Sequence, residues 1–292
     1  MKRIIRKIYS LLPFKKATFT FLKWFLRPST RIHKHLHFHG TISIKIPGEQ
    51  KHFMMDHFGY ELENDLFWNG LEHSREKVSV GIWLKLCKNA NTIIDAGANT
   101  GVYSLVASCL DPKADVFAFE PVEKIHNRLR KNILLNHFNI KSFALALSDY
   151  TGEGHYYEPL TEHFYSVTVN KDIHVDGLST EKKTLQTITL DQVIRDNAIK
   201  KIDLMKLDVE THEPAVIRGF KDHLLVHRPD MLIEVLSDEA ASELDRSLSL
   251  CNYLYYDINE TTGTKRITSI QKSSERNILA CTERSAAILG LK

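Results

Sequence analysis

The amino-acid sequence predicts a mixed α/β fold built on a mostly parallel sheet, and three observations carry that prediction. From Thr92 onward, short and continuously apolar strands alternate with helical stretches, the pattern of a sheet covered on both faces. A glycine-punctuated loop, Gly97-Ala98-Asn99-Thr100-Gly101, lies where the first of these strands ends and a helix begins. An acid, Glu120, ends the next strand 19 residues beyond the last glycine of that loop.

The elements read in order as a basic amphipathic arm over residues 1–40, a strand and helix lead-in over 41–90, and an α/β domain over 91–292 with an insertion at about 150–189. At 292 residues, 43% hydrophobic and 26% charged, the chain can bury a full core without disulfide or metal staples. The four cysteines form no C-x-x-C pair, which fits a reducing, cytoplasmic setting. Residues 1–40 hold ten Lys or Arg and no acid, leaving 29 basic against 36 acidic residues in the remainder. That balance argues against a basic nucleic-acid-binding core.

Within the arm, residues 1–12 have Ile4, Ile5, Ile8, Leu11 and Leu12 at helical spacing with cations between them, and Pro13 ends the run. A second apolar run, residues 19–26, is aromatic and interrupted by Lys23. Neither reaches the ~20 apolar residues of a spanning helix. Lys15 and Lys16 also cut the apolar region short, against a secretory signal. Positive charge, Trp24 and the phenylalanines suit residues 1–30 lying peripherally on an anionic membrane. An extension packed on the body and an acid-free targeting segment are the competing readings. Next, His33, His35, His37 and His39 alternate along a stretch that would present all four on one face of a strand. No Cys or acid completes a ligand set, so a solvated face is expected and no metal site is assigned.

In the domain, Thr92–Ala96 is the first strand, Val102–Leu110 a helix, Asp115–Phe119 the second strand, 122–136 a helix and 141–147 the third strand. Then come a strand at 203–209, a helix at 214–226, a strand at 231–236 and a helix from about 239 to 250. Strands at 253–258 and Asn277–Cys281 read as a C-terminal antiparallel hairpin joined through the Gly263 region. The insertion carries His155, Tyr156, Tyr157, His163, Phe164, Tyr165 and His174, with a strand-like piece at 166–169, and suits either a pocket wall or a surface hairpin.

The loop identifies a class of ligand. Glycine permits positive φ and close backbone approach, while Glu120 is spaced to accept two ribose hydroxyls. A dinucleotide loop needs G-x-G-x-x-G for its pyrophosphate; here Gly97 and Gly101 lack that spacing, and there is no P-loop lysine. A ribose-bearing ligand without pyrophosphate, such as S-adenosylmethionine, fits better than NAD.

The stretch from about Asn91 to Val235 resembles the FkbM family of S-adenosylmethionine-dependent methyltransferases, which have the Rossmann-like class I methyltransferase sheet. The resemblance rests on residues 94–101, on Phe119-Glu120-Pro121, on Thr189-Leu190-Asp191, and on Lys206-Leu207-Asp208-Val209-Glu210-Thr211-His212-Glu213 followed by Ile217, Gly219 and Ile233-Glu234. Thr211 stands where the family usually has glycine. Together with the loop, the resemblance implies a cofactor site of Asp95, Gly97, Asn99, Gly101, Glu120 and Asp208. It also implies O-methylation of a hydroxyl on a sugar, glycan, glycolipid or secondary metabolite.

Asp208, Glu210 and His212 are the candidate catalytic residues, because they cluster at the carboxyl end of a central strand, where open α/β sheets bind ligands. His212 is the candidate base, since imidazole titrates near neutrality. Its alternative role is to start the following helix. Asp208 and Glu210 would orient acceptor or cofactor, and Glu213 would favour the helix N-terminus. Asp208 with Glu234 could instead hold Mg²⁺. Two other classes compete: an NAD-dependent oxidoreductase, and a non-catalytic membrane-associated scaffold on the same fold. The sequence leaves the oligomeric state open.

Overall fold

The computed structural model describes residues 14–25, 32, 36–159, 169, 180–273 and 275–291. The expected helix at 1–12, the first part of the histidine run, the strand-like piece at 166–168, and His163, Phe164, Tyr165 and His174 lie outside these residues. The chain divides into two units, Met1–Arg75 and Glu76–Lys292.

In the first unit, α1 (Lys15–Phe25) is followed by an antiparallel hairpin, β1 (Gly40–Lys45) and β2 (His52–His57), and by α2 (Glu61–Asn69). Its core is aromatic. Phe19 from α1 is buried with its ring centroid 6.0 Å from Phe38 and 5.8 Å from Trp68, and Phe38 lies 4.7 Å from Phe67. The described end of the histidine run, residues 36–39, is irregular rather than a strand, because pairing begins only at Gly40. His57 is buried 4.1 Å from Phe38, and its Nδ1 accepts from the Gly59 N–H at 3.0 Å. Burial lowers its pKa to about 4, so it is neutral here at physiological pH.

The second unit opens with α3 (Lys77–Cys87), whose first turn is capped by Glu260, which accepts from the Val78 N–H at 2.6 Å. Strand β3 (Thr92–Ala96), α4 (Val102–Leu110), β4 (Asp115–Phe119), α5 (Glu123–Asn136) and β5 (Ile140–Phe143) then form one half of the sheet. The other half holds β9 (Leu204–Leu207), α7 (Glu213–Arg218), α8 (Leu224–His227), β10 (Asp230–Glu234) and α9 (Asp238–Leu248). It is completed by β11 (Leu254–Asn259), β12 (Gly263–Ile267) and β13 (Asn277–Cys281), and α10 (Glu283–Leu289) closes the chain. Between the halves, β6 (Ala146–Leu147), β7 (Gly152–Pro159) and β8 (Thr180–Ile188) make a separate three-stranded sheet, and α6 (Leu190–Asp196) follows it.

The main sheet runs β12-β11-β13-β10-β9-β3-β4-β5. The five strands from β10 to β5 are parallel, and the β10–β13, β13–β11 and β11–β12 pairings are antiparallel. These parallel strands are short and apolar because both faces are covered: Ile94, Phe117, Met205, Leu207 and Ile233 are almost wholly buried in one cluster. Chain order reverses between β3 and β9, so their carboxyl ends open the crevice of the fold.

Three elements differ from the sequence reading. The expected strand 141–147 ends at Phe143, because its one neighbour, β4, ends at Phe119 opposite it. Ala146 and Leu147 pair with β8 instead. The expected helix 214–226 breaks after Arg218. Gly219 is pressed against Ser148, whose carbonyl oxygen lies 2.0 Å from where a Cβ would stand. Buried Asp191 fastens the break by accepting from the Asp222 N–H at 3.1 Å and contacting His223 Nδ1 at 2.8 Å. Finally, the C-terminal strands do pair antiparallel, but Gly263 opens an extra edge strand, β12, rather than a simple connection. Asn259 shapes that tight turn by accepting from the Thr261 and Thr262 N–H groups.

Candidate active site

The crevice is framed by backbone. After β3 the chain turns through Gly97 at φ +78, Asn99 at φ +50 and Gly101 at φ +100 before α4 begins. Gly97 is required by contact as well as by conformation, because an added Cβ would sit 1.8 Å from the Asp208 carbonyl oxygen. The Gly97 and Ala98 N–H groups both donate to Phe119 O at 2.9 Å, and the Asp208 N–H donates to Ala96 O at 3.0 Å. The ends of β3, β4 and β9 are thereby locked together.

Glu120 is buried at the end of β4. Its Oε2 accepts from the Asn99 N–H at 3.1 Å and its Oε1 from the Val122 N–H at 2.9 Å. Burial, partly offset by these two bonds, raises its pKa to about 7. Each oxygen keeps acceptor capacity for a hydroxyl. Asp95 is also buried, but its Oδ2 accepts from the backbone N–H and hydroxyl of Ser104 at 3.0 and 2.5 Å. Through that carboxylate Asp95 fixes the start of α4 and so shapes the loop.

Beyond β9 the chain makes a strained turn. Glu210 and Thr211 take φ +54 and +72, consecutive left-handed residues that a non-glycine chain adopts only when its surroundings hold it there. Glu213 supplies that hold: it is fully buried, and its Oε1 accepts from the Val209 N–H at 2.9 Å, closing the turn. Burial raises its pKa to about 7. The family glycine at 211 is explained by this conformation, and Thr211 adopts it nonetheless.

The turn brings one oxygen each of Asp208, Glu210 and Glu234 within 4.8 Å of one another, a set that a hard divalent cation could use. Two cations already face it. Buried Lys206 places Nζ 3.0 Å from Asp208 Oδ2 and 5.3 Å from the centre of the Tyr103 ring, and Arg276 Nε lies 3.0 Å from Glu234 Oε1. Burial and the neighbouring Asp208 and Glu210 charges push Glu234 well above the carboxylate range, with Lys206 and Arg276 opposing that shift. Burial also acts on Asp208, but Lys206 outweighs it and holds Asp208 below its ordinary value.

His212 faces elsewhere. Its Nε2 lies 3.0 Å from the hydroxyl of buried Ser148, beside Asp149, which Arg218 binds at 2.8 Å. Burial lowers the His212 pKa, with Asp149 opposing and Arg218 reinforcing that shift. The imidazole is therefore neutral at physiological pH, as a base must be. It precedes α7 without making a side-chain cap. A groove of about 560 Å³, lined in part by Asp149, Thr189, Asp191 and Arg218, opens on this side.

The sequence-predicted residues thus fall into three groups. Gly97, Asn99, Gly101 and Glu120 form one cradle around the loop, with Asp95 bracing it from beneath; Asp208 and Glu210 join Glu234; and His212 pairs with Ser148. Lys206, Tyr103, Arg276 and Ser148 carry no role in the sequence reading. Lys206 is one charged residue inside an apolar strand, while Tyr103, Ser148 and Arg276 are distant in sequence from the motifs they meet.

An open α/β sheet with a glycine loop and an acid at adjacent strand ends defines a nucleoside-binding class of enzyme fold, and comparison with known proteins narrows it. The profile of the methyltransferase FkbM domain matches residues 95–255, more than half of the chain. The chain belongs to the FkbM methyltransferase family. It is 27% identical over 158 residues to the hexuronic acid methyltransferase AglP of Haloferax volcanii, covering 54% of this chain and 61% of that protein. It is 27% identical over 193 residues to the AMB antimetabolite synthetase AmbE of Pseudomonas aeruginosa, covering 56% and 9%. It is 29% identical over 153 residues to the methyltransferase sdnD of Sordaria araneosa, covering 44% and 59%. The chain thus spans less than two thirds of the length of these relatives. Among solved structures, the methyltransferase FkbM of Methylobacillus flagellatus aligns at 12% identity with a TM-score of 0.41, covering 66% of this chain and 44% of that one.

Proposed function

We propose that this chain is an S-adenosylmethionine-dependent O-methyltransferase acting on a hydroxyl of a sugar, glycan, glycolipid or secondary metabolite. The observation that carries the reading is the Glu120 carboxylate, pinned by the Asn99 and Val122 N–H groups beside a loop too tight at Gly97 to admit a side chain. A ribose diol can use that acceptor, and the loop offers no pyrophosphate seat of the G-x-G-x-x-G kind. The sugar reading is supported by the similarity to the hexuronic acid methyltransferase AglP.

When bound, S-adenosylmethionine would supply an electrophilic methyl group for in-line transfer to the acceptor oxygen, with the thioether sulfur as the leaving group. The protein's tasks are to align and to deprotonate. Glu120 holds the ribose hydroxyls, and the backbone from Gly97 to Asn99 lines the cofactor. Glu210, on its strained turn, and Asp208, kept ionised by Lys206, orient the acceptor. His212 is the proposed base, a role that requires the acceptor to reach from the Asp208 and Glu210 carboxylates to the Ser148 side of the turn; Ser148 fixes the ring through Nε2 and leaves Nδ1 as the candidate basic nitrogen. Lys206 and Arg276 already face the three carboxylates and supply positive charge to the set.

The test is transfer of a labelled methyl group to hexuronic acid and other sugar acceptors, with the product's O-methyl position assigned by mass spectrometry. His212→Ala should lower kcat about a hundredfold or more while cofactor affinity stays within about twofold. The wild-type rate should fall only below the ordinary imidazole range, since the His212 pKa is lowered. An active His212→Ala enzyme would refute the base assignment; transfer to nitrogen alone would refute the acceptor class.

A further inference from the structure

Helix α1 turns two different faces outward and inward. Phe19 is 2% exposed and stacks in the aromatic core of its unit, and Lys23 Nζ lies 5.1 Å from the Phe67 ring. These contacts tie the inner side of the helix down. On the outer side, Phe21 is 66%, Trp24 83% and Phe25 69% exposed, with Phe14 at 84% just before the helix. Phe21 and Phe25 are one turn apart with ring centroids 5.3 Å from each other, so the exposed aromatics form one patch rather than scattered side chains.

Such a patch in water needs an occupant, and charge selects it. Residues 1–40 hold ten Lys or Arg and no acid, whereas the rest of the chain carries more acids than bases. Lys16 is exposed on the helix itself. Among the described residues no helix is long and apolar enough to cross a membrane. A short helix with an aromatic outer face, an anchored inner face and only cations among its own charged residues has the form of an interfacial element, with rings at headgroup depth and cations on anionic headgroups. We propose that α1 docks this protein on an anionic lipid bilayer through Phe14, Phe21, Trp24 and Phe25. The inference goes beyond the methyl-transfer reading and does not depend on it.

The helix supplies its own reporter. Of the three tryptophans, Trp68 and Trp83 are buried and Trp24 is exposed. Mixing the full chain with phosphatidylcholine vesicles containing phosphatidylglycerol should shift tryptophan emission to the blue and carry the protein up in flotation. Pure phosphatidylcholine vesicles should bind it far more weakly, and about 0.5 M salt should release it, since screening weakens headgroup attraction. Phe21→Ala, which keeps the reporter, should lower vesicle affinity about tenfold, and Phe21→Glu with Trp24→Glu about a hundredfold or more. Both exposed changes should leave circular dichroism and the unfolding midpoint intact. Absence of flotation at low salt would overturn the proposal. So would equal binding to neutral vesicles, or a solution dimer that the Phe21 and Trp24 substitutions dissociate while vesicle binding is absent.

Discussion

Thr211 holds a conformation that its branched Cβ disfavours, at φ +72 next to Glu210 at φ +54, and the turn survives because Glu213 binds the Val209 N–H. Thr211→Gly should therefore stabilise the protein by roughly 0.5–1 kcal/mol, the left-handed penalty less the added chain entropy, as read from urea unfolding midpoints; a loss of stability would show that the threonine side chain contributes more than the strain it carries. Glu120 makes a second prediction at this scale. Its folded pKa of about 7 exceeds the ordinary 4.5, so the native state keeps a proton that the unfolded state releases. Stability from this group is full below pH 4.5 and is lost as pH rises through 7, by up to roughly 3 kcal/mol. Glu120→Gln removes that titration, so its stability relative to wild type should rise between pH 5 and pH 8 in ligand-free protein. A difference that stays constant would contradict the buried, ionisable role. Much at this scale was legible: glycine loop, spaced acid and acidic turn are written contiguously. Lys206 was not, because a burial pattern marks 204–207 as core without telling where an ammonium inside it points.

At the scale of elements, the glycines at 97 and 219 weld strands and helices that are far apart in sequence. A Cβ at Gly97 would meet the Asp208 carbonyl, and one at Gly219 would meet that of Ser148, each at 2.0 Å or less and against backbone that cannot rotate away. Gly97→Ala and Gly219→Ala should each cost about 3 kcal/mol or more. Gly101→Ala would meet only the Leu129 side chain, at 2.5 Å, and should cost less than either, mostly through its φ of +100. Thermal unfolding of the three variants checks the order. The strands β3, β4, β9 and β10 were legible because a doubly covered strand is apolar throughout. The end of β5, the break after Arg218 and the edge strand β12 were not, since each depends on a partner elsewhere: the last residue of β4, the Ser148 carbonyl, and the open edge of β11.

At the scale of the whole molecule, the sequence shows a basic arm and a mildly acidic remainder, and the structure divides the chain at Arg75 into two units. That division was not legible, because α2 and α3 follow each other closely and their burial patterns alone do not say which core each joins. The parallel sheet and the acids at its strand ends were legible from alternation and motif, whereas the order reversal between β3 and β9 was read only from the structure. They concentrate the chemistry in the second unit, where Gly97, Asn99, Glu120, Asp208 and Glu210 gather at the ends of three adjacent strands. The central claim is that this edge binds S-adenosylmethionine through Glu120. Calorimetric titration of the purified chain with S-adenosylmethionine, and separately with NAD, tests it most directly, with Glu120→Ala alongside. S-adenosylmethionine should bind at one site and NAD at none, with affinity at least about tenfold weaker in the variant, the cost of losing a charged hydrogen-bond acceptor. NAD binding, or S-adenosylmethionine binding indifferent to Glu120, would contradict the claim.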